Sequence, residues 1–78
     1  MMNPEISDAG LVTGTADTDY DLIRFTETCL RDALRLEGYI EDARRAGDEE
    51  LEWFFARAQS TSVRNAREGK ALLGSRCR

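Results

Sequence analysis

The sequence contains no histidine among its 78 residues. This absence excludes Ser-His-Asp and Cys-His nucleophilic sites, zinc sites with imidazole ligands, haem held through imidazole, and the usual general base near neutral pH. Cysteine is also scarce, since only Cys29 and Cys77 occur. Two cysteines in one chain cannot complete a cysteine-only zinc or iron–sulfur site. We therefore expect no catalytic residues and no cofactor.

Long apolar runs are missing as well. No window approaches the roughly 18 apolar residues of a membrane span, and the N-terminus lacks the basic-then-apolar pattern of a secretory signal. The mean hydropathy is −0.53. We therefore expect a soluble cytoplasmic protein with no membrane partner, whose length allows one small domain.

Proline occurs once, at Pro4, in a segment rich in Ser, Thr, Gly and Asp. Residues 1–18 show neither a period of 2 nor one of 3.6, which predicts a disordered N-terminal arm. Residues 19–74 carry a helical pattern, and residues 75–78 form a short tail that we expect to fray. The predicted organisation is thus one helical unit between an arm and a tail.

Apolar and small residues recur every three or four positions after Asp19, as on one face of an α-helix. We predict a first helix over residues 20–46, with Asp19 as its N-cap and Gly47 as its stop. Asp48 is the predicted N-cap of a second helix over residues 49–73. Because so short a link can only reverse the chain, the fold class is an all-α antiparallel two-helix hairpin.

The register of this hairpin follows from its short turn. Residues whose numbers sum to about 95 should lie opposite each other, so that small residues meet in the middle, as with Thr26 and Gly69. The acidic start of the first helix then lies beside the basic end of the second. Exposed ion pairs there would each contribute only ~0.2–1 kcal/mol. The expected pairs are Asp21 with Lys70 and Glu27 with Arg64.

Apolar residues cover about half the circumference of the first helix, which is more than one neighbouring helix can bury. A two-helix unit also encloses no core, and chains of this size rarely gain more than ~3–5 kcal/mol from one. We therefore predict a homo-oligomer, most simply a two-fold dimer that forms an antiparallel four-helix bundle. The predicted interface residues are Ile23, Phe25, Leu30, Leu34, Trp53 and Phe54.

A set of spacings between Leu30 and Leu73 points to a known family. The features are Tyr39, Ala43, the Gly47-Asp48 turn with Glu50 and Leu51 after it, Phe55, and a small-residue helix that ends in Ala71-Leu72-Leu73. In these features the segment resembles the helical hairpin of the ferritin-like superfamily, and most closely its short members, the encapsulated ferritins and rubrerythrin-like half-bundles. The resemblance covers just over half the chain and implies a dimeric bundle.

The metal motif of that family is only partly present. The family has a carboxylate seven residues before the tyrosine and an E-x-x-H motif that begins twenty-three residues after it, and these ligands hold two irons in the dimer. The matching positions here are Asp32, Ser62 and Asn65. Serine and asparagine cannot replace a bridging carboxylate and an imidazole. The resemblance therefore implies the scaffold without ferroxidase activity.

Three acidic residues of the first helix are weak candidates for a residual metal site, namely Asp32, Glu37 and Glu41. Glu37 is the most constrained, because it lies among apolar positions where an unpaired carboxylate is costly to bury. We expect it instead to pair with an arginine of the second helix or of a second subunit. A metal site would require these carboxylates to meet their symmetry mates, and iron or manganese would be the ion.

The expected function is that of a non-enzymatic oligomeric helical protein that binds itself. We expect Trp53 to be buried against the second subunit; otherwise its end of the hairpin is where an unidentified protein partner would bind. Two alternatives stay open: metal binding by interface carboxylates, and weak binding of phosphate or nucleic acid by the arginine-rich end of the second helix. The second alternative conflicts with an acidic chain of net charge −4.

Overall fold

A computed structural model describes residues 17–76, and these form two α-helices. Helix α1 spans Asp17–Ala46 and helix α2 spans Glu49–Arg76. The described residues contain no β-strand, and the two helices pack against each other as an antiparallel hairpin. The predicted all-α hairpin is therefore confirmed, whereas the predicted arm lies almost wholly outside the described residues.

The turn between the helices is built by two adjacent residues with different roles. Gly47 has a φ of 72°, a left-handed conformation that favours glycine. Its N–H donates to the Arg44 carbonyl, and the Asp48 N–H donates to the Ala43 carbonyl, both at 3.0 Å. These two hydrogen bonds together form the Schellman motif that ends a helix. Asp48 then caps α2, since its Oδ1 accepts from the Leu51 N–H at 3.1 Å.

Both helices extend further from the turn than the sequence predicts. Helix α1 begins at Asp17, so Asp19 lies within its first turn and is not the N-cap. Helix α2 continues to Arg76, past the predicted end at residue 73. The Arg76 Nε donates to Asp19 Oδ1 at 3.2 Å, which links the two extended ends. This pairing of opposite charges favours the extra helical residues over the predicted fraying.

The predicted register is confirmed at several levels of the hairpin. Thr26 lies directly against Gly69, and Arg76 reaches Asp19, so both pairs have numbers that sum to 95. Near the turn, the rings of Tyr39 and Phe55 pack with their centroids 5.4 Å apart. We call the contact surface between the two helices the seam. Most of the residues that are buried in it are small: Thr26, Cys29, Ile40, Ala43, Ala66 and Gly69.

Candidate interaction site

Helix geometry divides the surface beside the seam into two faces. Residues seven positions apart lie almost above one another, because seven residues make nearly two turns. One face, which we call the aromatic face, has Tyr39 and Leu51 side by side along a shallow depression that Phe55 also lines. Its two rows are Phe25, Asp32, Tyr39 and Ala46 on α1, and Leu51, Ala58, Asn65 and Leu72 on α2, with Phe54 at its border.

The opposite face, which we call the mixed face, combines apolar and charged side chains. Near the turn it has a depression that is lined by Ile40, Arg44, Glu52 and Trp53. Its two rows are Ile23, Leu30, Glu37 and Arg44 on α1, and Glu49, Ala56, Val63 and Lys70 on α2, with Leu34 and Trp53 at its border. The two faces lie on opposite sides of the plane through both helices.

All six predicted interface residues are exposed in the single chain. They do not form one surface. Phe25 and Phe54 belong to the aromatic face, and the other four belong to the mixed face. The helical pattern of α1 already separates Phe25 from Leu30 on the two sides of the seam, and the predicted interface combined both sides.

Three exposed apolar residues of the aromatic face were not predicted as interface residues. These are Tyr39, Leu51 and Leu72. The signal for Tyr39 is present in the sequence, since it follows Phe25 by fourteen residues, or two seven-residue repeats. Leu51 and Leu72 can be assigned to this face only once the register between α1 and α2 is known.

The three candidate metal ligands do not converge within one chain. Asp32 accepts from Arg35 at 3.4 Å on the aromatic face, and Glu41 accepts from Arg44 at 2.9 Å. Glu37 faces the other way from Asp32, on the mixed face. Residues 17–76 contain no group of three acidic or cysteine side chains that could hold a metal ion. A site formed with symmetry mates stays a prediction, because one chain does not test it.

Within the single chain, Glu37 pairs with an amide and not with an arginine of α2. Its Oε1 accepts from the Gln59 Nε2 at 2.7 Å, and the same amide nitrogen donates to the Ala33 carbonyl at 3.1 Å. The Glu37 carboxylate therefore has a partner without a second subunit. Gln59 was missed because a neutral amide gives no charge signal in the sequence.

The ion pairs that cross between the helices differ from those expected. Glu27 pairs with Arg31 on its own helix at 3.2 Å, and the expected pair with Arg64 is not formed. The Asp21–Lys70 pair is also absent among the described residues. The bridges between helices lie at the two ends of the hairpin: Asp19 with Arg76, and Glu52 with Arg44.

Arg44 connects the two helices at the turn. Its Nε donates to Glu52 at 3.0 Å while one terminal nitrogen contacts Glu41. The hydrogen bond and the negative charge of Glu52, together with Glu41, raise the pKa of the Arg44 guanidinium further above its already high value. The Arg44 guanidinium is charged, as arginine is in proteins generally, and its pair with Glu52 makes the mixed face polar beside Trp53.

Two polar groups lie within the seam itself. Cys29 is a free and buried thiol, and burial, followed by the nearby Asp32 carboxylate, raises its pKa above the ordinary value. The Thr26 hydroxyl is buried against Gly69 and has no hydrogen-bond partner. Neither group lines the depressions near the turn or the one beside Arg64 and Arg67. Cys77, the other thiol, lies outside the described residues.

The basic end of α2 shows a separate shallow depression that is lined by Gln59, Val63, Arg64 and Arg67. Within residues 17–76 neither arginine forms an ion pair. Arg67 lies beside Val63 at the edge of the mixed face, and Arg64 lies farther round α2 from the seam. Binding of phosphate or nucleic acid at this end stays a prediction.

No family model, curated protein or solved structure matches this chain. The resemblance to the ferritin-like hairpin therefore rests on the sequence pattern alone. Neither described helix combines the length and the apolar character that a membrane span requires.

Proposed function

We propose that this chain is a non-enzymatic helical interaction protein that acts as a homo-oligomer, most simply as a dimer that forms a four-helix bundle. One observation carries the proposal: in the described hairpin the buried side chains are mostly small, whereas the exposed ones include nine large apolar residues. Such an arrangement is the reverse of the usual distribution in a monomeric domain.

The energetic reason follows from the size of these side chains. Full burial of a Leu or Phe side chain contributes about 1.5–3 kcal/mol. In the single hairpin, Phe25 is 52% exposed and Phe54 is 55% exposed, so much of this contribution is not realised. Contiguous exposed apolar residues of this kind mark interaction surfaces. A second copy is the partner that is always available to the chain.

The proposal places the protein in the cytoplasm. Its support is a thiol that forms no disulfide, since a reducing compartment keeps such thiols free. Cys29 is enclosed in the seam and is a free thiol. We also propose an unidentified protein as a further partner, which would contact the exposed Trp53 beside the turn.

Sedimentation equilibrium tests the proposal directly. Across the micromolar range we expect a mass at or above twice the chain mass of 8.8 kDa. Because association stabilises only the folded chain, the midpoint of thermal unfolding should also rise with protein concentration. A folded monomer at micromolar concentration, with a midpoint that does not depend on concentration, would contradict the proposal.

A further inference from the structure

We propose that the aromatic face packs against the same face of a second copy, in the antiparallel sense. The turn of each hairpin then lies over the open end of the other, and the two-fold axis crosses the face at the level of Asp32 and Val63. This inference rests on the proposed self-association and adds its face and its orientation.

The composition of the two faces selects the aromatic one. Among the eight residues of its two rows, only Asp32 is charged, whereas four of the eight row residues of the mixed face are charged. Charged residues are depleted at the centres of protein interfaces, and aromatic residues are enriched there. The Asp32 carboxylate already pairs with Arg35, so the centre of the aromatic face carries no net charge.

The spacing of large side chains then supplies the symmetry. On α1, Phe25 and Tyr39 each lie seven residues from Asp32, or about 10 Å along the helix. On α2, Phe54 and Leu72 each lie nine residues from Val63, or about 13 Å. Both pairs belong to one rigid hairpin. A two-fold axis that exchanges Phe25 with Tyr39 therefore also exchanges Phe54 with Leu72, provided that the midpoints of the two pairs lie at the same level.

The two midpoints coincide in space. Positions 32 and 63 sum to 95, which is the register shown by Thr26 against Gly69 and by Asp19 with Arg76. Phe25 with Tyr39 on α1, and Phe54 with Leu72 on α2, are therefore placed symmetrically about a single level of the hairpin, whereas Leu51 lies outside this symmetry, nearer the turn. An antiparallel copy would set the ring of Phe25 over that of Tyr39, and Phe54 over Leu72.

The charges at the two ends favour the same orientation. The turn end, residues 37–58, has seven acidic and three basic residues, or a net charge of −4. The open end, residues 17–31 with 64–76, has five acidic and six basic residues, or +1. Antiparallel packing places −4 over +1, whereas parallel packing would place the two acidic turns together. Opposed like charges reduce association, so the antiparallel dimer is the complementary one.

The first experiment tests the face with two variants of the full chain, Phe25→Glu and Leu34→Glu. Leu34 lies on the border of the mixed face and is the more exposed of the two residues, which makes it a stringent control. We expect Phe25→Glu to raise the dissociation constant of the dimer at least about tenfold, as for the loss of a buried aromatic anchor. We expect Leu34→Glu to leave it unchanged. Circular dichroism confirms that both variants keep their helices.

The second experiment tests the orientation in a Cys77→Ser background. Cysteine replaces Asp32 in one variant and Leu30 in the other, at nearly the same level but on opposite faces. In an antiparallel dimer position 32 meets its own copy across the axis, so Asp32→Cys should form an interchain disulfide on mild oxidation at least tenfold faster than Leu30→Cys. In a parallel dimer α1 would lie over the partner's α2, which separates the two copies of position 32.

The outcomes distinguish the inference from the proposed function. A monomer of the natural sequence would overturn both. A dimer that Leu34→Glu disrupts and Phe25→Glu does not would overturn the aromatic face while self-association stands. A dimer that depends on Phe25, but in which position 32 cross-links no faster than position 30, would overturn the antiparallel orientation. Oxidation in denaturant gives the rate expected without any docking.

Discussion

The seam of the hairpin and its outer faces differ in the size of the side chains that they hold. In the seam, Thr26, Ala66 and Gly69 let the two helices approach closely. On the faces, Phe25, Trp53 and other large apolar residues stand in solvent. The hairpin therefore buries its small residues and exposes its large ones. The close approach gives the chain its shape, and the large residues provide the apolar area for association.

Ile40 is the exception that allows the largest test of this comparison, because it is the one large aliphatic side chain among residues 17–76 that is buried, at 6% exposure. We expect Ile40→Ala to lower the free energy of unfolding by about 2–4 kcal/mol, the usual result of truncating a buried aliphatic side chain. Leu34→Ala, at an exposed position, should change it by less than about 0.5 kcal/mol.

Urea denaturation of both variants at one fixed protein concentration provides the measurement. Equal losses of unfolding free energy for Ile40→Ala and Leu34→Ala would show that the seam and the mixed face contribute equally to stability, which would contradict the expected difference between them.

Gly69 tests the closeness of the seam. A Cβ added there would collide with the Thr26 side chain, whereas a Cβ at Gly38 would meet nothing within 4 Å. We expect Gly69→Ala to destabilise the fold by about 1–3 kcal/mol, as for other overpacked sites. Gly38→Ala should stabilise it by about 0.5–1 kcal/mol, since alanine has the higher helix propensity. Thermal unfolding should therefore show that the same glycine-to-alanine substitution lowers stability at position 69 and raises it at position 38.

The unpartnered Thr26 hydroxyl provides a smaller test within the seam. Its oxygen is buried without a hydrogen bond, a situation that costs about 1–3 kcal/mol for such a group. Thr26→Val removes the oxygen and nearly keeps the shape, so we expect a gain of about 1 kcal/mol in stability. Thr28→Val, at an exposed position of the same helix, is the control. A loss of stability in the Thr26 variant alone would mean that the hydroxyl finds a partner in solution.

The smallest expected effect is the pH dependence caused by Cys29. Burial, and then Asp32, raise the pKa of this thiol above its ordinary value of 9.0 in the folded chain. The unfolded chain then loses its thiol proton first as the pH rises, so stability is constant in this respect below about pH 9 and falls above it. Denaturation of Cys29→Ala at pH 8 and pH 10 should show a smaller decline than the parent chain does.

Much of the fold can be predicted from the sequence, because its signals are local. The Gly47-Asp48 pair marks both the end of one helix and the cap of the next, and the register follows from it. The outer ends could not be placed, because Asp19 has the residue type of an N-cap. The feature that determines its role is Arg76, which lies far away in the sequence and close in space.

The candidate site was predictable only residue by residue. The large apolar residues of α1 could be assigned to the two sides of the seam from the helical pattern, but the residues of α2 that lie beside them depend on the register. The partner of Glu37 was missed for a related reason, since Gln59 donates to it through a neutral amide that carries no charge pattern. Contacts between side chains of the two helices can be predicted only when the register is known, and then only from the hydrogen-bonding groups of both residues.

The contact between Thr26 and Gly69 has an evolutionary consequence. The space between the helices at this level is fixed by the backbones, so the two positions share one small volume. A relative with a residue larger than glycine at position 69 must carry a residue smaller than threonine at position 26. Relatives of this protein should therefore be recognisable by the joint size of these two residues, even where neither residue is itself retained.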